Sequence, residues 1–256
     1  MTAARRVLVI GAGGVGSILS RGIAMTLEFR APGSGLIIVD GDSYEPKNRE
    51  RQMFTGMGNK AIVLASELAQ TAEHTAIIPL PKWVVAETPE VEEELEEGET
   101  AQGKIAAIDL LDEGDVVFCV VDNFKARKDI FDAAKKFNNI DVFTGGNDDQ
   151  LYGSIYHYQR KNGEEVTLHP SEMHPEYVNP PDRNPGELSC QERAEIEGGT
   201  QLLAVNMGVA AWLLARAHKT IFEEQEDSES EIYFDMAVGL SQPFDRRVDA
   251  PVDANV

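Results

Sequence analysis

The most constraining feature of the chain is a strand that empties into a run of glycines. Val7 to Ile10 is a short apolar, β-branched run, followed by Gly11-Ala12-Gly13-Gly14-Val15-Gly16, and a helix is predicted from Ser17 to about Arg30. Bare backbone at such a turn can approach phosphate groups, and the helix N-terminus adds partial positive charge. A purely structural turn has no need of so many glycines, because each costs chain entropy on folding. The pattern fits a nicotinamide dinucleotide and ATP equally and does not choose between them.

The rest of the chain alternates strand and helix signals. Leu36 to Asp40 is apolar until its last residue, as in a parallel sheet covered on both faces. Lys60 to Ala72 has helical spacing, and Thr75 to Val85 is strand-like though interrupted by Pro79 and Pro81. Asp115 to Val121 is a further buried strand, and Asn123 to Phe137 reads as the helix after it. Asp141 to Thr144 is a fifth strand ending at Gly145-Gly146, while Ser154 to Arg160 alternates like a strand with one wet face, so antiparallel strands are expected late. Gly199 to Lys219 reads as an apolar helix and Ile232 to Val238 as the final strand. Between the strand ending at Arg160 and that helix, Asn162 to Leu188 carries Pro170, Pro175, Pro180, Pro181 and Pro185 and reads as an irregular excursion. Ser241 to Val256 reads as a disordered polar tail. The expectation is one α/β domain over residues 1–240, with an insertion at 162–188.

The net charge is −21, from 44 acidic and 23 basic side chains, so the average surface repels nucleic acid backbones and anionic membranes. The acidic runs Glu87 to Glu99 and Glu223 to Glu231 read as solvated faces. The N-terminus lacks the pattern of a signal peptide, and no stretch approaches the ~18 to 20 apolar residues that span a bilayer. A soluble, cytoplasmic protein with no nucleic acid or membrane partner is expected. The only cysteines, Cys119 and Cys190, exclude a disulfide scaffold or a four-cysteine zinc site within the chain.

What separates the nucleotide alternatives lies past the second strand. Asp40 stands where an acid reaches ribose hydroxyls, which fits both cofactors. Asp40-Gly41-Asp42 is then followed by Asn48-Arg49-Glu50-Arg51-Gln52 and, past Gly56 and Gly58, by Lys60. A dehydrogenase has no use for so many cations and amides beside its ribose acid, whereas a triphosphate does. The glycine loop, D-x-D, five intervening residues, N-x-x-R-Q and a following lysine resemble the ThiF/MoeB/HesA family of ubiquitin-activating-enzyme-like adenylating enzymes. The resemblance continues at Val121-Asp122-Asn123 with Arg127, through Gly145-Gly146, and at Leu188-Ser189-Cys190 with the apolar helix after it.

That resemblance implies a Rossmann-like, mostly parallel sheet with helices on both faces. It implies ATP and magnesium as ligands, with Gly11, Gly13, Gly14 and Gly16 at the phosphates and Asp40 and Asp42 at the ribose end. Asn48, Arg51 and Gln52 would hold the triphosphate, Lys60 the α-phosphate region, and Asp122 with Asn123 the magnesium end, Asp122 being the metal ligand. Arg51, Lys60, Asp122 and Cys190 are the implied catalytic set. Read from the residues alone, Asp122 is also a candidate helix cap. Arg127 is a candidate to steady Asp122, to bind substrate, or to serve structure. Cys190 remains open between an acceptor of the activated acyl group and an inert loop thiol. Cys119, centred in an apolar strand, reads as core.

His169 and His174 fit no zinc spacing and read as polar loop residues, so no zinc is expected. The paired cysteine motifs of zinc-bearing relatives are absent, and Arg5 and Arg6 lie too close to the first strand to form an arginine extension. The implied activity is adenylation of the C-terminal carboxylate of a ubiquitin-fold partner by a homodimer or heterodimer. Activation of a small or tRNA-linked carboxylate and a nucleotide-binding scaffold stand as alternatives, with a nicotinamide-dependent dehydrogenase behind them.

Overall fold

The computed structural model describes residues 3–49, 52–87, 103–147, 151–180, 203–222 and 230–250. Its centre is a parallel array of five strands: β1 (Arg6–Ile10), β2 (Gly35–Val39), β5 (Ala76–Leu80), β8 (Val116–Cys119) and β9 (Ile140–Asn147). They lie in the order β5-β2-β1-β8-β9, and β10 (Tyr152–Lys161), β12 (Glu231–Asp235) and β13 (Leu240–Phe244) extend the sheet antiparallel beyond β9. The short strand β11 (Glu164–Glu165) pairs with the end of β10. Two ribbons stand off the sheet: β3 (Ser43–Tyr44) pairs antiparallel with β4 (Gly58–Asn59), and β6 (Trp83–Val85) pairs parallel with β7 (Lys104–Ala106).

Successive strand side chains point to opposite faces, and both faces are covered. Val7, Val9, Leu36, Ile38 and Phe118 pack on one side against α1 (Gly14–Arg30), α2 (Lys60–Leu68) and a late helix, α6 (Leu203–Ala217). Leu8, Ile10, Val39, Val117 and Cys119 pack on the other against α3 (Ala107–Leu110) and α4 (Phe124–Ala134). Each fully buried aliphatic side chain contributes about 1.5 to 3 kcal/mol, so the central strands are held from both sides. Cys119 is core as expected, and burial pushes its thiol up to about 11.

The structure differs from the sequence reading in several places. α1 begins at Gly14, not Ser17, so the last glycines of the cluster form its first turn. Thr75 to Val85 is two strands: β5 keeps Pro79 because it is an edge strand, where a missing N–H costs no ladder bond on the open side, and Pro81 stands in the turn to β6.

The excursion after residue 162 is ordered through residue 180. It forms β11, α5 (Pro170–Met173) and a 3-10 turn at Pro175–Tyr177, with His169 and Tyr177 buried against Phe131 of α4. His169 is therefore an aromatic-packed core residue rather than a polar loop histidine, its Nδ1 2.7 Å from Ser171 Oγ. The remainder of that excursion, residues 181–188, lies outside the described residues. The tail is corrected as well: β13 takes in its first part, and Arg247 bridges to Thr167. Pairing with β12 supplies the order that its polar composition does not advertise. No helix among the described residues is long and apolar enough to cross a membrane.

Candidate functional site

The carboxyl ends of β1, β2 and β8 converge on the glycine turn. Gly11 has φ +95, a backbone conformation that disfavours any side chain, and its N–H donates to Val39 O at 2.8 Å. A Cβ on Gly16 would stand 1.8 Å from Gly11 O, so the turn closes only around bare backbone. Gly13 faces open space apart from Gln52 Nε2, which lies 3.9 Å from where its Cβ would be.

Asp40, half-buried at the end of β2, accepts hydrogen bonds from Ala12 N at 2.6 Å and Asp42 N at 2.8 Å. It thereby ties the glycine turn to the D-x-D segment. Burial raises its carboxyl pKa, opposed by Lys60 and by those two N–H donors. Lys60 is buried and pairs through Nζ with Asp42 Oδ2. The β3–β4 ribbon positions it, since Asn59 donates to the carbonyls of Asp40 and Asp42 at 2.9 and 3.1 Å while its Oδ1 caps α2. Asn48 and Gln52 are buried in the intervening loop. Asn48 Oδ1 accepts from Glu45 N at 3.1 Å, and Gln52 N donates to Asn48 O at 3.0 Å.

One site residue escaped the sequence reading. Asn206, wholly buried on α6, points its Nδ2 at the first turn of α1, 2.2 Å from where a Cβ on Gly14 would be. Its Oδ1 accepts from Asn147 Nδ2 at 3.1 Å. The only hint in the sequence is an amide inside the otherwise apolar run Leu203 to Leu214. Asn206 Nδ2 and Gln52 Oε1 are both buried without a hydrogen-bond partner in the structure. Buried polar atoms are normally paired, and leaving one unmade costs about 1 to 3 kcal/mol. The spare Asn206 donor and Gln52 Nε2 facing Gly13, with the buried Lys60 close by, fit an anionic ligand such as a nucleoside triphosphate, whereas Gln52 Oε1 is an acceptor and fits only a donor such as a ribose hydroxyl.

Beyond β8, Val121 stands against Gly11, and Asp122 is exposed beside it. The cap of α4 is Asn123, whose Oδ1 accepts from Lys125 N at 2.8 Å and Ala126 N at 3.2 Å, so Asp122 is not the helix cap. Arg127 donates through Nε to Val121 O at 2.8 Å and through Nη2 to Gly145 O at 3.1 Å, joining the ends of β8 and β9. Its role is to hold the site's floor together. Among the described residues no cluster of three His, Cys, Asp or Glu could hold a metal. A magnesium ion carried largely by phosphates needs only one or two carboxylates, and Asp122 fits that. His174 is paired at Nε2 with Glu231 Oε1 at 2.8 Å rather than aimed at a metal. Arg51 and Cys190 lie outside the described residues.

Comparison with known proteins matches the same region. Escherichia coli MccB with MccA-N7isoASN superposes with a TM-score of 0.66 at 15% identity, over 97% of this chain and 66% of that one. MccB with ATP gives 0.61 at 16%, over 97% and 65%, and PaaA gives 0.61 at 17%, over 95% and 64%. The chain thus spans just under two thirds of the length of these structures. No curated protein matches it. The family model described as ThiF family matches residues 2–232, nearly the whole of the sheet and its helices, and the chain belongs to that family.

Proposed function

We propose that this chain is an ATP-dependent adenylating enzyme that activates the C-terminal carboxylate of a small ubiquitin-fold protein, its residues 1–240 together with the β13 segment paired onto them acting as one adenylation domain. The observation that carries the reading is a glycine turn flanked by the unpaired buried Asn206 Nδ2 donor and by Gln52 Nε2, with Lys60 and Asp40 at the same end of the sheet. The fold shared with MccB, which has been solved with ATP and with MccA, supports it.

In the reaction, a carboxylate oxygen of the partner attacks the α-phosphorus of ATP; the new P–O bond forms as the bond to the β-phosphate bridge breaks and pyrophosphate leaves. Negative charge grows on the α-phosphate oxygens and on the departing pyrophosphate. Lys60, Arg51 and the N-terminus of α1 stabilise that charge, while Asp40 holds the ribose and Asn48, Gln52 and Asn206 fix the phosphates. Magnesium, held at Asp122, would neutralise pyrophosphate charge. Where transfer follows, the Cys190 thiolate attacks the acyl carbon and AMP leaves.

An exposed patch supports a protein partner. Tyr152, Tyr233 and Leu240 project from the antiparallel face around an open depression, and Tyr233 also lines the cleft that runs to Arg127 and Gly145. Such apolar surface beside a site suits a docked protein whose tail enters the cleft. The test is ATP–pyrophosphate exchange with ubiquitin-fold candidates and with short peptides. Exchange should depend on the carboxylate partner and fall about a hundred- to a thousandfold in Arg51→Ala. Failure to bind ATP, with or without magnesium, overturns the reading, and binding without exchange for any partner favours a nucleotide-binding scaffold.

A further inference from the structure

The order of the sheet edge extends the nucleotide site one step beyond the residues so far assigned. Strands β1, β2 and β5 are neighbours in that order. A nucleoside triphosphate with its phosphates on the glycine turn after β1 and its ribose at Asp40 after β2 carries its base toward the end of β5. The register brings Val39 beside Leu80, and Asp40 N donates to Leu80 O at 3.2 Å. The chain then turns tightly, with Lys82 N bonded to Leu80 O at 2.8 Å, and the next residue is Trp83.

The indole of Trp83 lies on Gly41. A Cβ built there would be 2.5 Å from Cδ2, Cε2 and Nε1 alike, and equal distances to three atoms of the five-membered ring mean that the ring meets Gly41 face-on. Its backbone is anchored, since Trp83 N donates to Gly103 O at 3.1 Å and β6 pairs in register with β7. The side chain remains 45% exposed. A large flat apolar ring is thus held in fixed orientation at the peptide between Asp40 and Asp42 while still presenting nearly half its surface.

We propose that Trp83 is the platform on which the nucleobase stacks, and so the residue that makes this site one for a nucleoside triphosphate rather than for any polyphosphate. The inference rests on the ATP reading above. Base–aromatic stacking is tolerant of base identity because every base presents a π-face, so Trp83 contributes affinity for a base without choosing among bases. Gly41 acquires a reason as well, because any Cβ there would drive into the rigid indole and tilt the platform.

The experiment measures binding of ATP and of inorganic tripolyphosphate by calorimetry in wild type, Trp83→Leu and Trp83→Phe. Trp83→Leu should weaken ATP by about five- to a hundredfold and leave tripolyphosphate unchanged, while Trp83→Phe, which keeps a flat ring, should stay close to wild type. The chain has two tryptophans, so Trp212→Phe leaves Trp83 as the sole emitter. Its fluorescence should be quenched by ATP and not by tripolyphosphate. Equal ATP affinity in wild type and Trp83→Leu overturns the proposal, as does a parallel loss of both ligands or an emission that ATP does not change. If Trp83→Leu fails to fold, the fluorescence measurement and Trp83→Phe decide alone. A wild-type protein that binds no ATP at all refutes the underlying reading instead.

Discussion

Gly16→Ala sets two known effects against each other, and the structure says which wins. In a helix interior alanine is favoured over glycine by about 0.8 to 1 kcal/mol, and Gly16 lies inside α1. Propensity alone therefore forecasts a more stable protein. The added Cβ, however, would stand 1.8 Å from Gly11 O and 3.1 Å from Val120 Cγ2. The first of these is a backbone oxygen in a turn already held by the Gly11 N–H to Val39 O bond, so it cannot swing aside as a side-chain end would. Overpacking of a tight site costs about 1 to 3 kcal/mol and more when backbone must move, which exceeds the propensity gain. A net loss near 2 kcal/mol is expected, a fall of about 4 to 8 °C in melting temperature for a chain of this size, together with loss of ATP binding as the turn opens. Gly22→Ala is the internal control. It lies on the same helix, but its Cβ meets only the flexible end of Leu214, 2.7 Å from Cδ2, so it should be near neutral. Urea denaturation of both variants checks the argument. Gly16→Ala proving as stable as wild type, or Gly22→Ala the more damaging of the two, would refute the steric account.

Arg127→Ala removes two side-chain hydrogen bonds that brace the carboxyl ends of β8 and β9, and at about 1.5 to 3 kcal/mol for a charged hydrogen bond it should cost ~3 kcal/mol or more in urea unfolding. Arg127→Lys should rescue little, since a single ammonium lacks the fork that reaches two carbonyls; full rescue would point to a role in charge alone. His174 is predicted to make stability depend on pH. The hydrogen bond to Glu231 raises the His174 pKa, and although burial opposes it, His174 and Arg246 hold the Glu231 carboxyl below its usual range. The folded value of His174 thus exceeds its unfolded value, so the stabilisation is complete below the ordinary value of about 6.5 and disappears as pH rises through the raised one. The melting-temperature gap between wild type and His174→Gln should be widest near pH 6 and shrink above the raised value; a gap that widens with pH would contradict the pairing.

Much of the scaffold was legible because it depends on local sterics and periodicity. A β-branched run, glycines that only bare backbone can satisfy, and apolar runs too continuous for a one-sided sheet predict a parallel α/β core wherever they occur. Asp40 was legible for the same reason, as the first charge after a buried strand. Lys60 and Gln52 were singled out through the family motif, but their burial, the pairing of Lys60 with Asp42 and the orphaned Gln52 oxygen exist only once the β3–β4 ribbon folds the loop over the turn. Asn206 lies nearly two hundred residues from Gly14 and meets it only because α1 and α6 pack on the same face of the sheet. Trp83 finds Gly41 through the parallel register of β2 and β5, and β13 is a strand because β12 offers it an edge. Period and turn chemistry are properties of neighbouring residues, so the chain alone determined the core and the place of its glycine turn. Which distant amide, arginine or indole completes that turn depends on long-range packing, and only the tertiary structure decided it.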